Sequence, residues 1–298
     1  MATAALERVR RPLSDTAELL RESLDAFTED RARRLSAGLA YYAVFALVPA
    51  LMTSVFVAAI LVGSDAARGT FSERIEEAVG RDLSIQLEDA IASAWDSANA
   101  SQFALLSLLV AAYTGSVLFV AWRDTLEVIW DVPFTSGVKT TILKRLYGML
   151  IPVVVGIMLA ALVVVQTVVG LLSELSRFVL LDATLRVAGT VVPAIVGVAM
   201  LAALYRYSAR ATRPPWRHVI RGAFVGWIGM AVLSWGFAVY LRVIGTTSFA
   251  GAASSIVVGL VLLYYGAQIL LFGAEVVRCS ADRGSAPSWP VDRPNPTS

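Results

Sequence analysis

The sequence predicts an all-α, polytopic integral membrane bundle of six transmembrane helices with amphipathic extracytoplasmic helices. Of the residues, 57% are hydrophobic and 16% are charged, with a mean hydropathy of +0.69. Soluble domains have roughly 45–50% apolar and about 25% charged residues. The apolar residues also gather in long stretches that contain no Asp, Glu, Lys or Arg. A soluble core cannot absorb this excess, so we expect one membrane bundle with short connections.

Six charge-free stretches are each long enough to cross a bilayer, which takes about 20 helical residues. Helices are expected because isolated strands would leave backbone groups without hydrogen bonds in lipid. The predicted spans are 35–62, 99–122, 146–172, 187–205, 222–241 and 252–274. Together they form a membrane domain at 35–278, between a cytoplasmic N-terminal segment at 1–34 and a disordered cytoplasmic tail at 279–298.

The last two stretches are separated by a single charged residue, Arg242. Small polar residues at 245–248, Gly-Thr-Thr-Ser, suit a tight loop at the membrane surface. We therefore predict two spans at this point, and not one long helix.

The distribution of basic residues predicts the orientation. Cytoplasmic connections retain Lys and Arg because positive charge resists translocation. The N-terminal segment, the 123–145 and 206–221 connections and the residues after 274 together hold 19 of the 25 basic residues. Both termini are therefore predicted to lie in the cytoplasm, in a protein of the cell (inner or plasma) membrane.

Two connections have helical patterns of their own. In 65–96, apolar residues recur at four-residue steps, which predicts amphipathic helices over the outer end of the bundle. In 122–130, Trp122, Leu126 and Trp130 share one helical face. That pattern fits either a helix in the headgroup region or a cytoplasmic extension of the second span.

The residue inventory excludes several classes of chemistry. One cysteine, Cys279, excludes an internal disulfide, and one histidine, His218, excludes a His-rich metal site. Both are expected to be surface residues. The chain has no Walker loop, Ser-His-Asp set or Gly-rich nucleotide fingerprint. We therefore predict no enzyme, no catalytic residues, no metal, no cofactor and no ATP-driven pump.

Six residues in or beside the predicted spans are candidates for transport or lipid binding. They are Tyr41, Tyr42, Pro49, Arg123, Gln268 and Glu275. Glu275 could pair with an arginine such as Arg123 or take part in proton coupling, because ionisable groups at membrane depth are functional suspects. Pro49 would bend the first span beside the two tyrosines and open a cavity. The alternative for each of these residues is a purely structural role, in an ion pair, an interhelical hydrogen bond or the packing of a bent helix.

The connection at 206–221 is predicted to be a basic loop that faces lipid headgroups. Its five arginines are Arg206, Arg210, Arg213, Arg217 and Arg221. Anionic headgroups on the cytoplasmic face are the expected partners, and nucleic acid is not. The alternative is simple retention of positive charge on that side. The run Gly222-x-x-x-Gly226, followed by Gly229, predicts a close approach of the fifth span to a neighbour.

Three segments carry a family resemblance. LSAGLAYYAVFALVPAL at 35–51 resembles the first-span signature of the YihY/BrkB family of inner-membrane proteins, once labelled ribonuclease BN. Residues 250–276, which end in Leu-Phe-Gly-Ala-Glu-Val, are similar to that family's last span, and 117–133 is a weaker match. Ala46 stands where the family has Ser. The resemblance implies six spans and a cell-membrane location but no agreed activity, and a chain with one histidine lacks the ligands of a metal-dependent nuclease.

These features predict a non-ATP-driven transporter or a protein that moves lipid across the bilayer, with membrane lipids as partners. The alternative is a scaffold or envelope-integrity protein that contacts partner proteins through 65–96 and transports nothing. The sequence does not reveal the oligomeric state.

Overall fold

The computed structural model describes residues 2–46, 100–132, 179–208, 214–244 and 252–283. All the regular structure in these ranges is helical, as predicted. The helices are α1 (Ala2–Glu29), α2 (32–46), α3 (Ala100–Ile129), α4 (Val179–Ser208), α5 (Trp216–Ile244) and α6 (Ala252–Asp282). The predicted third span at 146–172, the 65–96 connection, Pro49, Arg210 and Arg213 lie outside the described residues.

Three of the described helices contain segments long and apolar enough to cross a membrane. These segments are Gly189–Ser208, Trp216–Tyr240 and Val257–Asp282. Their outer faces carry large exposed apolar side chains, including Ile195 on α4 and Trp235 on α5, which is 71% exposed. Monomeric soluble proteins rarely leave so much apolar surface in water. The long apolar segments and their exposed apolar faces therefore indicate a membrane protein. The full count of six crossings remains a prediction.

Helices α2 to α6 all extend past the charge-free stretches. Helix α4 begins at Val179 and includes Asp182 and Arg186, and α6 continues to Asp282 through Glu275 and Arg278. Helix α3 runs without a break to Ile129, so the 122–129 segment is an extension of α3. A charged residue ends a favourable crossing of lipid, but it does not end the backbone hydrogen bonding of a helix.

Helix α6 is the centre of the described bundle, because α1, α3 and α5 all pack against it. The main apolar core joins α6 to the ends of α3, α4 and α5. Its most deeply buried side chains include Leu126 and Ile129 of α3, Tyr205 of α4, Val219 of α5 and Leu271 of α6.

The contact between α5 and α6 depends on a pair of glycines. A Cβ atom on Gly222 would overlap the Gly273 carbonyl oxygen and the Val277 side chain. A Cβ on Gly273 would lie 2.9 Å from the Gly222 carbonyl oxygen and would overlap the Tyr205 hydroxyl. Farther along α5, Gly229 receives the side chain of Ile269. The predicted close approach of this helix to a neighbour is confirmed, since only glycine permits backbones to come so near.

Helix α1 lies against α6 through one face. Its buried residues Leu19, Ser23, Ala26 and Phe27 recur at helical spacing, while the residues between them are exposed. Phe27 packs edge-on against Phe272, with 6.2 Å between the ring centroids. An amphipathic helix thus covers the C-terminal half of α6.

The far end of α6 is tied to α1 by a bidentate ion pair. Arg283 Nε donates a hydrogen bond of 2.7 Å to Glu22 Oε2, and its Nη2 lies 2.7 Å from Glu22 Oε1. These hydrogen bonds hold the pKa of Glu22 below its ordinary value of 4.5. A carboxylate with a lowered folded-state pKa stabilises the fold above its unfolded pKa, and that contribution disappears as the pH falls through the folded value.

We therefore expect acid to loosen α1 from α6. As the pH falls below 4.5, hydrogen exchange of the amides around residue 22 should increase more in the wild-type chain than in Glu22→Gln, which lacks the ion pair at every pH. The effect is small because half of the Glu22 side chain is exposed. Identical pH profiles for the two proteins, after correction for intrinsic exchange, would contradict the assignment.

Candidate functional site

Two chain reversals place charged groups beside the C-terminal part of α6. Between α1 and α2 the chain turns at Asp30 and Arg31, and after α3 it turns at Asp131. Arg31 and Asp131 have left-handed backbone conformations, with φ of 52° and 49°. At the end of α3, Val132 N–H bonds to the Glu127 carbonyl and Asp131 N–H to the Val128 carbonyl, which is a Schellman cap. Both turns therefore have fixed geometry.

Asp30, Glu275 and Arg278 form a charge cluster between these turns and α6. Arg278 Nη1 donates a hydrogen bond of 2.7 Å to Asp30 Oδ2 and a second to the Ile129 carbonyl oxygen. Its Nε lies 3.7 Å from Glu275 Oε2, on the same helix. A single guanidinium thus joins the α1–α2 turn, the last turn of α3 and α6.

Glu275 is the most deeply buried member of the charge cluster. Its side chain has 0% exposure, and neither carboxyl oxygen accepts a hydrogen bond from any described residue. Native structures leave few buried polar groups without a hydrogen bond, and such groups cluster at functional sites. The electrostatic neighbours of Glu275 are Arg278, Asp30 and Asp131.

Aromatic side chains from α4 and from the end of α3 donate hydrogen bonds to backbone carbonyls on successive turns of α6. Tyr205 of α4 donates its hydroxyl to the Leu270 carbonyl at 2.8 Å, and Trp130 donates its indole N–H to the Ala274 carbonyl at 3.3 Å. Trp122 of α3 donates to Ser208 Oγ at 3.1 Å and stacks on Tyr205, with 6.0 Å between centroids. The segment of α6 that carries Glu275 is therefore fixed by α3 and α4.

Three arginines lie at the same end of the bundle and form what we call the basic face: Arg206, Arg217 and Arg221. Arg206 donates to the Pro214 carbonyl at 2.6 Å, and its guanidinium lies 4.6 Å from the centre of the Trp216 ring. Arg221 donates to Ser280 Oγ at 3.2 Å. Arg217 and Arg221 are exposed. The basic face therefore combines arginines that are oriented by neighbouring groups with guanidinium groups that are exposed. It lies next to the apolar surfaces of α4 and α5.

His218 connects the basic face to α6, contrary to the expectation that it is a surface residue. Its side chain is buried; Arg217 Nε donates to its Nε2 at 2.8 Å, and its Nδ1 lies 2.7 Å from Ser280 Oγ. An arginine can only donate, so Nε2 is the acceptor and Nδ1–H donates to the Ser280 hydroxyl. This arrangement is the reverse of a serine activated by a histidine base. Cys279 is also buried, because α1 covers this stretch of α6.

The family assignment rests on a match that spans most of the chain. A family model described as "Virulence factor BrkB" matches residues 23–294. The chain belongs to this family. Searches of curated proteins and of solved structures gave no match. The match begins in α1 and covers every residue of the charge cluster and the basic face, and it confirms the resemblance carried by the first and last spans.

The predicted site residues of this BrkB-family chain are spread over different environments. Glu275 lies in the charge cluster, whereas Arg123 is buried on α3 with its Nη2 3.7 Å from Glu127 Oε1. Gln268 is half-buried on α6, about two turns before Glu275. Tyr41 and Tyr42 are exposed on α2, where their rings contact each other, and Tyr41 also contacts Phe45. The cation beside Glu275 is Arg278, which the sequence did not single out.

Asp30, Arg278 and Ser280 were missed at the level of sequence. Arg278 follows Glu275 by three residues, a spacing that brings two side chains together on a helix, and this was the only available signal. Nothing in the local sequence marks Asp30, which lies 248 positions from Arg278 along the chain. Within the described ranges, no group of three or more His, Cys, Asp or Glu residues is placed to hold a metal ion.

Proposed function

We propose that this BrkB-family chain is a multi-pass protein of the cell membrane that moves an anionic lipid, or a similar amphipathic solute, across the bilayer without ATP. The observation that carries the proposal is the basic face. Arg217 and Arg221 are exposed where α5 begins, directly beside the apolar flank that α5 presents to lipid. A phosphate headgroup with acyl chains needs this combination of charge and apolar surface.

The contacts of the basic face support a binding role over simple retention of charge. Arg206 is oriented by Trp216 and by the Pro214 carbonyl, and Arg221 by Ser280. Arginines held by neighbours lose less conformational freedom when they bind a phosphate. The proposal places this end of the bundle and both termini in the cytoplasm, in line with the distribution of basic residues. It assigns no catalytic step to the chain.

Reconstitution into vesicles tests this function. Purified protein in phosphatidylcholine–phosphatidylglycerol vesicles should speed the loss of fluorescence of a headgroup-labelled phosphatidylglycerol when an impermeant reductant is added outside. The double variant Arg217→Gln/Arg221→Gln should slow this movement roughly thirtyfold, because each arginine near an anionic surface contributes about 1 kcal/mol and about 1.4 kcal/mol corresponds to a factor of ten. The double variant should slow the movement of a labelled phosphatidylcholine, which has no net charge, much less.

The matched control is Arg33→Gln/Arg34→Gln, which removes two exposed arginines of α2 that lie outside the basic face. It should keep the wild-type rate. Vesicles with protein that lose fluorescence no faster than empty vesicles would overturn the transport proposal. If such protein also captured a stable partner through residues 65–96, the scaffold role would replace it.

A further inference from the structure

The charge cluster contains more negative than positive charge. Asp30 and Glu275 share one guanidinium, that of Arg278, which is charged at every accessible pH. Arg278 Nη1 is used by Asp30 at 2.7 Å and by the Ile129 carbonyl. For Glu275 there remains only the Nε contact of 3.7 Å, which is beyond hydrogen-bonding distance. The Asp30–Arg278 pair is neutral as a unit, so an ionised Glu275 would be an uncompensated buried charge.

Within the described ranges, the other charged groups near Glu275 do not supply the missing cation. From the turn after α3, Asp131 adds a further negative charge. Arg33 and Arg34 at the start of α2 are exposed, and Arg123 on α3 faces Glu127. On α5, His218 and Arg221 both bond to Ser280, farther along α6. Among these groups the charge cluster has one cation for two carboxyl groups.

A proton on Glu275 removes the imbalance. A neutral carboxylic acid needs no counter-charge, and it leaves Arg278 free to hold Asp30 and the Ile129 carbonyl as the structure shows. Burial of an isolated carboxylate is so unfavourable that proteins usually neutralise it. Loss of the proton to water would leave a carboxylate that repels Asp30 and competes with it for Arg278.

We propose that Glu275 is a proton-binding site, occupied in this packed state and emptied when the α1–α2 turn separates from α6. The ligand is a proton, which leaves the carboxylic acid for water while the new carboxylate takes Arg278 as its partner. Binding therefore couples proton occupancy to the packing of α1 and α2 on α6. The site does not depend on the transport role, so it can exist in a protein that moves no lipid.

Infrared spectroscopy of the full-length protein in lipid nanodiscs tests the occupancy directly. At neutral pH the wild-type spectrum minus that of Glu275→Gln should contain the C=O stretching band of a carboxylic acid, shifted to lower frequency in D₂O. The control, Asp25→Asn, removes an exposed carboxylate of α1 and should give no such component. A difference spectrum for Glu275→Gln that lacks the carboxylic acid band would overturn the proposal.

Hydrogen exchange tests the coupling to packing. Amides of residues 26–35 in the wild-type chain should lose protection as the pH rises, after correction for intrinsic exchange, whereas Glu275→Gln should keep them protected throughout. The same pH dependence in both proteins would overturn the coupling. Glutamine has the shape of a protonated glutamate, so the variant should be as stable as wild type at neutral pH. A clearly less stable Glu275→Gln protein would contradict a neutral Glu275.

Discussion

Replacement of Arg278 by methionine should destabilise the chain by about 3–5 kcal/mol, the usual loss when one partner of a buried ion pair is removed. Arg278 is only 8% exposed, and its guanidinium neutralises Asp30 and binds the Ile129 carbonyl. Methionine keeps the length of the apolar stem but leaves the carboxylate and the carbonyl without their donor. Denaturant unfolding in detergent, followed by tryptophan fluorescence, measures the difference.

The control for Arg278→Met is Arg33→Met, an exposed arginine at the start of α2. It should change stability by less than about 0.5 kcal/mol. The double variant Arg278→Met/Asp30→Asn should recover part of the loss, because the carboxylate left by the first change is then neutral. If Arg278→Met unfolds at the same denaturant concentration as wild type, the charge cluster does not hold the turns to α6.

Replacement of Gly222 by alanine should destabilise the bundle by about 1–3 kcal/mol, the range for overpacking of a close interface. The added methyl group would overlap the Gly273 carbonyl oxygen and the Val277 side chain. A backbone oxygen in a helix cannot turn aside as a flexible side chain can, so α5 and α6 must separate. The same shift would loosen the contact between Gly273 and the Tyr205 hydroxyl. Thermal unfolding in detergent gives the measurement.

Gly236→Ala provides the matched control, since it lies on the same helix with no atom within 4 Å of the added Cβ. It should be neutral or slightly stabilising, because alanine favours the helix over glycine by roughly 0.5–1 kcal/mol. Equal unfolding temperatures for Gly222→Ala and Gly236→Ala would show that the close approach of α5 and α6 does not limit stability.

The candidate site was predictable only in part. Glu275 stands out in the sequence because a carboxylate follows a long apolar stretch, and an arginine lies one helical turn away. Its distance from Asp30 was not predictable, because the α1–α2 turn and the C-terminal part of α6 are brought together by packing alone. Burial of His218 and Cys279 was missed for the same reason. Polar sequence around both residues indicates a surface, but α1 covers one and a hydrogen-bond network encloses the other.

The helix ends show the same limit. Charge-free stretches located α4, α5 and α6, and the last two are separate helices that pack against each other, as predicted; the predicted loop at 245–248 lies outside the described residues. The ends at Ser208 and Asp282 extend beyond the predicted ends at 205 and 274. A prediction based on the cost of transfer into lipid ends each span at the first charged residue. The helix itself continues as long as neighbouring groups form ion pairs or hydrogen bonds with that residue.

The sequence by itself determined the helical class, the membrane environment and the glycine contact of α5, because apolar excess and small-residue spacing are local properties of the chain. Only the tertiary structure decided which charge meets Glu275, where α1 lies and which polar residues are buried. Those facts depend on distances between groups that are far apart in the sequence. Only the packing of several helices in the folded protein sets such distances.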